Sequence, residues 1–155
     1  MTQEKITAAS LKKAVMEFFN EAIPFNTFLG LETNGTKDLS EIRFKMKPEL
    51  IGNSKHKSLH GGVTAAVLDV AGGLVALLNN IENLLDKPPD LIQKRLYGTG
   101  TIDIRIDYLM PGRGEEFLAT ARIIRLGSKV AVTRMQLRNE KDELLALGTA
   151  SYIVG

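Results

Sequence analysis

The chain has 155 residues, of which 44% are hydrophobic and 25% charged, and its 20 basic side chains nearly balance its 18 acidic ones. This composition predicts one globular domain over residues 1–155, and the scattered charges do not indicate a nucleic-acid or membrane partner. The chain has no cysteine, which excludes disulfides, thiolate metal ligands and a thiol nucleophile. Its two histidines, His56 and His60, are too few for a histidine-rich metal site.

The first ten residues have neither the basic-then-apolar order of a secretory signal nor the Arg-rich character of a transit peptide, so we expect a cytoplasmic protein. The longest apolar stretch runs from Val63 to Leu78 and is interrupted by Asp69 and Gly72-Gly73. It is shorter than the roughly 20 residues that span a bilayer. We therefore expect a buried helix there, not a membrane segment.

The N-terminal third predicts one helix and two strands. Ser10 is a candidate N-cap, and apolar residues recur at helical spacing after it until Pro24 interrupts the pattern. Between Phe28 and Met46 the spacing becomes strand-like, with apolar and charged residues alternating after the turn-prone pair Asn34-Gly35. An amphipathic helix followed by a hairpin is the prediction for this region.

A long core helix is predicted directly after Gly61-Gly62, because apolar residues follow at steps of four and three. The stripe consists of Val63, Val67, Val70, Leu74 and Leu77. A neighbouring face carries tiny residues around one carboxylate: Ala65, Ala66, Asp69, Gly72, Gly73 and Ala76. Small side chains let another backbone or a ligand approach closely, so Asp69 is expected to lie in a groove of its own helix.

The remainder of the chain is predicted to be a long connection followed by strands. Residues Asn79 to Gly100 are polar and contain Pro88-Pro89, which indicates a connection with at most one irregular turn. Four strands joined by short turns follow, namely Ile102 to Tyr108, Phe117 to Leu126, Val130 to Arg138 and Glu143 to Ile153. This order favours an antiparallel sheet wrapped about the central helix, an α+β fold.

The segment Leu59-His60-Gly61-Gly62 carries the clearest chemical signal. Free N–H groups at a helix start, with the helix dipole behind them, form an oxyanion site in outline. Nine residues after His60 stands Asp69, the one charged residue between Lys57 and Glu82, and a carboxylate in an apolar helix is costly unless it is satisfied or used. The alternatives are structural: a tight turn at Gly61-Gly62, a strand-capping or Arg105-binding Asp69, and a His60 that holds a backbone carbonyl.

Three motifs together resemble a known family. His60-Gly61-Gly62-Val63 precedes Asp69 by six further residues, Thr101-Ile102-Asp103 follows a glycine-rich entry, and Tyr108-Leu109-Met110-Pro111-Gly112 ends that strand. This combination resembles the hotdog-fold acyl-CoA thioesterases of the phenylacetate-pathway type, over nearly the whole chain. The resemblance implies a hotdog fold with an extra N-terminal helix and an acyl-CoA substrate.

The resemblance also implies a homodimer whose sheets join edge to edge, with two active sites between the central helices and the turn of one subunit facing the aspartate of the other. By position, Gly61 donates its N–H to the thioester oxygen and Asp69 is the nucleophile or the general base. Thr101 matches a hydroxyl residue that orients water, although β propensity alone also accounts for it. His60 orders the turn, and whether dimers pair into tetramers is left open.

One departure from the family concerns its upstream asparagine, which lies six residues before the histidine, whereas Asn53 lies seven before His60. Either a one-residue bulge restores Asn53, or Ser54 takes the role. Further substrate-binding candidates are Gly62, Arg105, Arg125, Ser128 and Lys129. The last two lie in a predicted hairpin turn that either contacts the phosphates of coenzyme A or is merely solvated, and the connection from Asn79 to Gly100 is expected to shape chain-length preference.

The predicted function is hydrolysis of an acyl-CoA thioester without a metal or redox cofactor. The alternative is a non-catalytic acyl-CoA-binding protein that shares the fold. A hydratase on this fold pairs a histidine with the acid in a longer helical motif, and this chain has no histidine after His60. A transcriptional regulator would need a DNA-binding helix pair, for which the first 25 residues supply one helix only.

Overall fold

The structure is a computed structural model that describes residues 6–155. Residues 1–5, half of the segment on which the expected lack of a leader rests, lie outside it. The helices are α1 (Ala8–Glu17), α2 (Pro24–Leu29), α3 (Gly61–Asn80) and α4 (Pro89–Gly98). The strands are β1 (Glu32–Gly35), β2 (Leu39–Lys45), β3 (Ile51–Asn53), β4 (Ser58–Leu59), β5 (Gly100–Tyr108), β6 (Glu116–Leu126), β7 (Val130–Asn139) and β8 (Leu144–Ile153).

Six strands form one antiparallel sheet in the order β1-β2-β6-β7-β8-β5. The predicted hairpin and the four predicted C-terminal strands all belong to it, so the α+β class is confirmed. Strands β3 and β4 form a separate small hairpin, which the sequence did not predict. Among the described strands β5 pairs only with β8, so its nine residues form an open edge of the sheet.

Helix α3 lies across one face of the sheet and packs mainly against β6 and β7. Its predicted apolar stripe is buried or half-buried, and Val67, Leu68, Leu74 and Val75 have no exposed surface. By length and composition the segment Gly61–Leu84 would suffice to cross a membrane, yet most of it is buried inside the protein. The prediction of a buried core helix is therefore confirmed.

The N-terminal helical region differs from the prediction at both ends. Ser10 is not the N-cap: Thr7 is, and the two residues form a reciprocal capping box in which each side chain accepts a backbone N–H of the other, at 3.0 and 3.1 Å. Pro24 does not end the helical region either, because a π-helical turn (Phe18–Ala22) leads into α2, which begins at Pro24. Proline is favourable at the first helical position, where its missing N–H would have had no partner.

Two predicted loops were also wrong. Asn34-Gly35 ends β1, and the hairpin turn follows it, where the hydroxyl of Thr36 accepts the N–H groups of Asp38 and Leu39. The connection from Asn79 to Gly100 contains a 3₁₀ turn (Ile81–Leu84) and the whole of α4. Pro89 opens α4 at its first position, and Ile92 and Leu96 pack on the core one turn apart, a pattern too short to outweigh the two prolines in the sequence.

The helix and the sheet approach each other most closely where β8 crosses α3. Tyr152, in β8, is 2% exposed and lies against the backbone of Gly72 and Gly73. A β-carbon at Gly72 would collide with the Tyr152 hydroxyl and lie 2.8 Å from Oγ1 of Thr133. The small-residue face of α3 is therefore filled by a tyrosine side chain.

We expect Gly72→Ala to lower the free energy of unfolding by about 1–3 kcal/mol, because overpacking at this crossing must displace Tyr152 or Thr133. Gly98→Ala is the matched control, since it is also helical and a β-carbon there meets nothing within 4 Å. Thermal melting of both variants measures the difference. Equal midpoints would contradict the close approach.

Candidate active site

The N-terminus of α3 presents one free backbone donor. His60 is the N-cap, with an extended backbone (φ −62°, ψ 134°), and its Nδ1 accepts the N–H of Gly62 at 2.9 Å. The carbonyl of His60 accepts the N–H of Val63 at 2.9 Å. The N–H of Gly61 has no acceptor in the described part of the chain, so it remains available at the positive end of the helix dipole.

Three contacts fix this turn. The Tyr108 hydroxyl donates to the carbonyl of Gly61 at 2.7 Å, and the N–H of Leu59 donates to the carbonyl of Gly112 at 2.9 Å. Behind the turn, Gly52 lies so close to His60 that a β-carbon would be 2.5 Å from the histidine Cα. The motif that runs from Tyr108 to Gly112 thus supports the helix start, and a cleft of about 340 Å³ opens beside Gly61.

The carboxylate of Asp69 is held by two hydroxyl groups. Thr101 Oγ1 donates to Asp69 Oδ1 at 2.8 Å, and Tyr152 Oη lies 3.1 Å from the same oxygen and 2.9 Å from the Asp69 carbonyl. Asp69 itself is half-buried. Because both contacts involve Oδ1, the second carboxylate oxygen has no donor among the described residues.

Thr101 faces Asp69 because of a bulge in β5. Thr101 pairs with Tyr152 and Asp103 with Ser151, so Ile102 is an extra residue between two pairs. Strict alternation with the inward-facing Ile104 would have placed Ile102 against the helix and Thr101 on the opposite face. The bulge reverses the two, and the side chain of Ile102 is 54% exposed.

Sequence reasoning missed Tyr152. Burial and the neighbouring Asp69 carboxylate raise the pKa of Tyr152 well above its usual value of 10.0, so the phenol stays protonated and donates to its acceptors on Asp69. A signal was present, since a single large polar residue stands on the inward face of a strand of small residues, opposite the pair Gly72-Gly73.

The helix separates the two halves of the site within one subunit. Asp69 follows Gly61 by eight residues in α3, and at a rise of 1.5 Å per residue their backbones are about 12 Å apart. A single carbonyl group needs its donor and its attacking oxygen within about 3 Å. The free N–H of Gly61 and the carboxylate of one chain therefore do not meet on one substrate carbonyl.

The upstream polar residues lie in the small hairpin beside His60. Ile51 pairs with Leu59 and Asn53 with Ser58, which makes Gly52 a one-residue bulge. The Asn53 side-chain oxygen accepts the N–H of His56 at 3.1 Å. Ser54 lies in the exposed turn that follows.

The remaining candidates are exposed, and none of them bonds to Asp69 among the described residues. Arg105 forms a salt bridge with Asp107 at 3.0 Å, so it is not the partner of Asp69. Its pairing with exposed Thr149 places it on the face opposite α3. Ser128 and Lys129 form the exposed turn between β6 and β7, close to Arg125 at the end of β6. No three His, Asp or Glu residues within 6–155 cluster as metal ligands.

Similar proteins show the family to which the chain belongs. The family model of the thioesterase superfamily matches residues 56–146. A protein of Escherichia coli (strain K12) named medium/long-chain acyl-CoA thioesterase YigI is 44% identical over 151 residues, which cover 97% of each chain. The chain therefore belongs to the thioesterase superfamily.

Solved structures agree with this placement. The crystal structure of a Shewanella oneidensis protein related to the thioesterase superfamily is 46% identical with a TM-score of 0.91, covering 96% of this chain and 97% of that one. A thioesterase family protein from Silicibacter pomeroyi is 20% identical with a TM-score of 0.72, covering 96% and 100%, and shares the fold. The predicted hotdog fold with an N-terminal helix is confirmed, and the protein is a thioester hydrolase.

We expect Tyr152→Phe and Thr101→Val each to lower kcat on the order of tenfold, equivalent to about 1.4 kcal/mol, because each removes one donor that orients Asp69. The Tyr152→Phe variant should also melt below the wild type at neutral pH. That difference should shrink above pH 10.0, where tyrosine ionises in the unfolded chain while the raised pKa keeps folded Tyr152 protonated. Unchanged kcat in both variants would show that the Thr101 and Tyr152 hydroxyls do not contribute to catalysis.

Proposed function

We propose that the protein hydrolyses medium- or long-chain acyl-coenzyme A thioesters, with Asp69 as the catalytic carboxylate. The observation that carries the proposal is the setting of Asp69: a carboxylate in an apolar helix, with one oxygen held by Thr101 and Tyr152 and the other free of donors among the described residues. The chemistry named for the Escherichia coli relative supports the substrate class.

The proposed reaction uses groups of the chain itself. Either Asp69 accepts a proton from water as the water oxygen attacks the thioester carbon, or its free oxygen attacks first and water opens the resulting anhydride. In both routes negative charge develops on the carbonyl oxygen, where the free N–H of Gly61 stabilises it. In the first route the carbon–sulfur bond breaks as the tetrahedral intermediate collapses, and the thiolate takes the proton that Asp69 accepted. In the second route the bond breaks as the anhydride forms, and the thiolate takes a proton from water. No step requires a metal or a redox cofactor.

A complete site needs a second subunit in this proposal. The open edge of β5 and the residues after it expose apolar side chains, with Tyr108 at 56%, Leu109 at 50% and Met110 at 47%. A long, exposed, apolar strand edge is a surface for pairing with another chain. An antiparallel homodimer through β5 would bring Gly61 of one α3 opposite Asp69 of the other, and such dimers would pair further only through another surface.

The proposal also assigns roles to the polar residues around the site and a place in the cell to the protein. The bulge at Gly52 supports Asn53 as the upstream amide that contacts the thioester, with Ser54 as the alternative. Gly62 would shape the turn, since its N–H is already bonded to His60. The exposed cations and hydroxyl at Arg105, Arg125, Ser128 and Lys129 would contact the coenzyme A phosphates. We propose a single cytoplasmic domain over residues 1–155.

Replacing Asp69 with Asn is expected to lower turnover on the order of a hundredfold or more, because an amide neither accepts the proton nor attacks the carbonyl. The fold should persist, since the amide keeps the size of the side chain and can still accept from Thr101 and Tyr152. Release of free coenzyme A from a panel of acyl-CoAs, measured beside the thermal midpoint, tests this. Near-normal turnover by Asp69→Asn would refute the assignment. Binding without turnover by the wild-type protein would favour a non-catalytic acyl-CoA-binding protein.

A single turnover in ¹⁸O-water with enzyme in excess tests for the covalent route. Attack by Asp69, followed by attack of water on the aspartyl carbon of the anhydride, gives an unlabelled acid and leaves the label in the Asp69 carboxylate, where mass spectrometry of the peptide detects it. Direct attack by water places the label in the fatty acid and leaves Asp69 unlabelled, so label in Asp69 establishes the anhydride.

The shared site is testable with a second inactive variant. Gly61→Pro removes the N–H of Gly61 with little strain, because proline suits the first helical position and His60 already has the extended backbone that precedes proline. Gly61→Ala is the control that keeps the N–H. We expect Gly61→Pro to lose activity on the order of a hundredfold, as for other oxyanion donors, and Gly61→Ala to keep most of it.

Co-expressed Gly61→Pro and Asp69→Asn chains should then recover about one quarter of wild-type activity, because half of randomly formed dimers pair one chain of each kind and hold one intact site. Each variant alone should stay inactive. Heterodimers can be purified by placing a different tag on each chain, and inactive heterodimers would place both groups in one subunit. Light scattering that found only a 17.0 kDa species would exclude the dimer.

A further inference from the structure

A cavity of about 240 Å³ lies between α1, the end of α3 and α4, and neither Gly61 nor Asp69 lines it. Its walls are mostly apolar and include Val15, Phe18, Leu77, Ile92, Leu96 and Tyr97. No charged side chain lines it, and Gln93 is the one amide. A cavity of this kind favours an apolar guest.

Two residues that line the cavity are close in the chain to Asp69 or to its partner Thr101. Leu77 follows Asp69 by eight residues in the same helix, so their backbones are about 12 Å apart. Tyr97 lies in the last turn of α4, four residues before Thr101, and four residues of chain span at most about 14 Å. Thr101 itself bonds to Asp69. The wall at Leu77 thus lies about 12 Å from Asp69 along the helix, a distance that a medium-length acyl chain spans and a butanoyl group does not.

The size of the cavity indicates a small guest. Its volume is smaller than the roughly 300–1,000 Å³ of pockets that enclose drug-sized molecules. At the rim, the rings of Phe18 and Tyr97 meet edge to face, with centroids 5.5 Å apart. Tyr97 is 67% exposed, so one side of this aromatic pair faces solvent while the other closes the cavity.

We propose that this cavity, the α1–α4 cavity, binds the distal methylenes of the acyl chain and sets the chain-length preference of the enzyme. The proposal rests on the function proposed above, which supplies the thioester end of the ligand. Each methylene that enters the cavity should strengthen binding about fourfold, which corresponds to ~0.8 kcal/mol. Helix α4 and the N-terminal helix would then act as specificity elements, remote from the bond that breaks.

The proposal is tested by a substitution that places a larger side chain in the cavity. Ala14 lines the cavity and is exposed, so Ala14→Phe adds a ring there at little cost to the core. Ala9→Phe is the matched control: it makes the same change at an exposed position of the same helix, outside the lining. Both variants and the wild type are compared on a series from butanoyl-CoA to palmitoyl-CoA, with the thermal midpoint and the oligomeric state measured alongside.

We expect Ala14→Phe to lower kcat/KM for the longest substrates at least tenfold relative to butanoyl-CoA, mainly through KM, and Ala14→Leu to have an intermediate effect. Ala9→Phe should keep the wild-type profile. Chain-length profiles that are identical for Ala14→Phe, Ala14→Leu and the wild type would overturn the proposal. So would a change of oligomeric state in Ala14→Phe alone, because the cavity would then be a contact between copies of the chain.

Calorimetry with a non-hydrolysable thioether analogue of palmitoyl-CoA keeps the two proposals separate. If no acyl-CoA is hydrolysed but the analogue binds to the wild type and weakly to Ala14→Phe, the proposed activity fails and the cavity assignment holds. If the wild type hydrolyses acyl-CoAs and Ala14→Phe binds the analogue as tightly as the wild type does, the cavity assignment alone fails.

Discussion

The close contact between Tyr152 and the backbone of α3 is the constraint on which the candidate site depends. Two consecutive glycines, Gly72 and Gly73, leave the helix surface bare, and the aromatic ring lies on it. In this position the Tyr152 hydroxyl reaches both the carbonyl and the carboxylate of Asp69. The same crossing sets the position of β8, and β8 in turn sets the position of β5 and of Thr101 through their pairing. A half-buried carboxylate is tolerated in an apolar helix because this geometry supplies it with hydroxyl donors.

Much of the architecture could be predicted from sequence because periodicity reports directly on burial. The apolar stripe of α3 and the alternation in the sheet strands both correspond to buried faces. The errors arose where local chemistry competes with periodicity. Pro24 and Pro89 predict interruptions of helical structure, although each opens a helix. Ser10 is the candidate cap nearest to the apolar pattern, whereas the actual cap, Thr7, stands three residues further from it.

The candidate site was less accessible to sequence reasoning than the fold. Asp69 and Gly61 stand out as an isolated charge and a glycine pair at a helix start, and these signals are local. Tyr152 was missed because its role depends on a contact between residues 83 positions apart. The inward orientation of Thr101 runs against strict alternation and depends on a bulge, which no pattern of period two reveals. Thr101 is therefore predicted by the family resemblance and not by the pattern of the strand.

The bulge in β5 has a consequence for how such an enzyme can change. One extra residue turns Thr101 toward the helix and, by the same rotation of the backbone, turns Ile102 out from the open edge of the sheet. Loss of the bulge at unchanged strand length would shift the register by one residue, which would turn Ile102 toward the carboxylate and Thr101 away from it. The chemistry of the site and the character of the sheet edge would then change in a single step, although no side chain had been replaced. Residues that hold the bulge in place are therefore expected to affect catalysis even where they contact neither the helix nor the substrate.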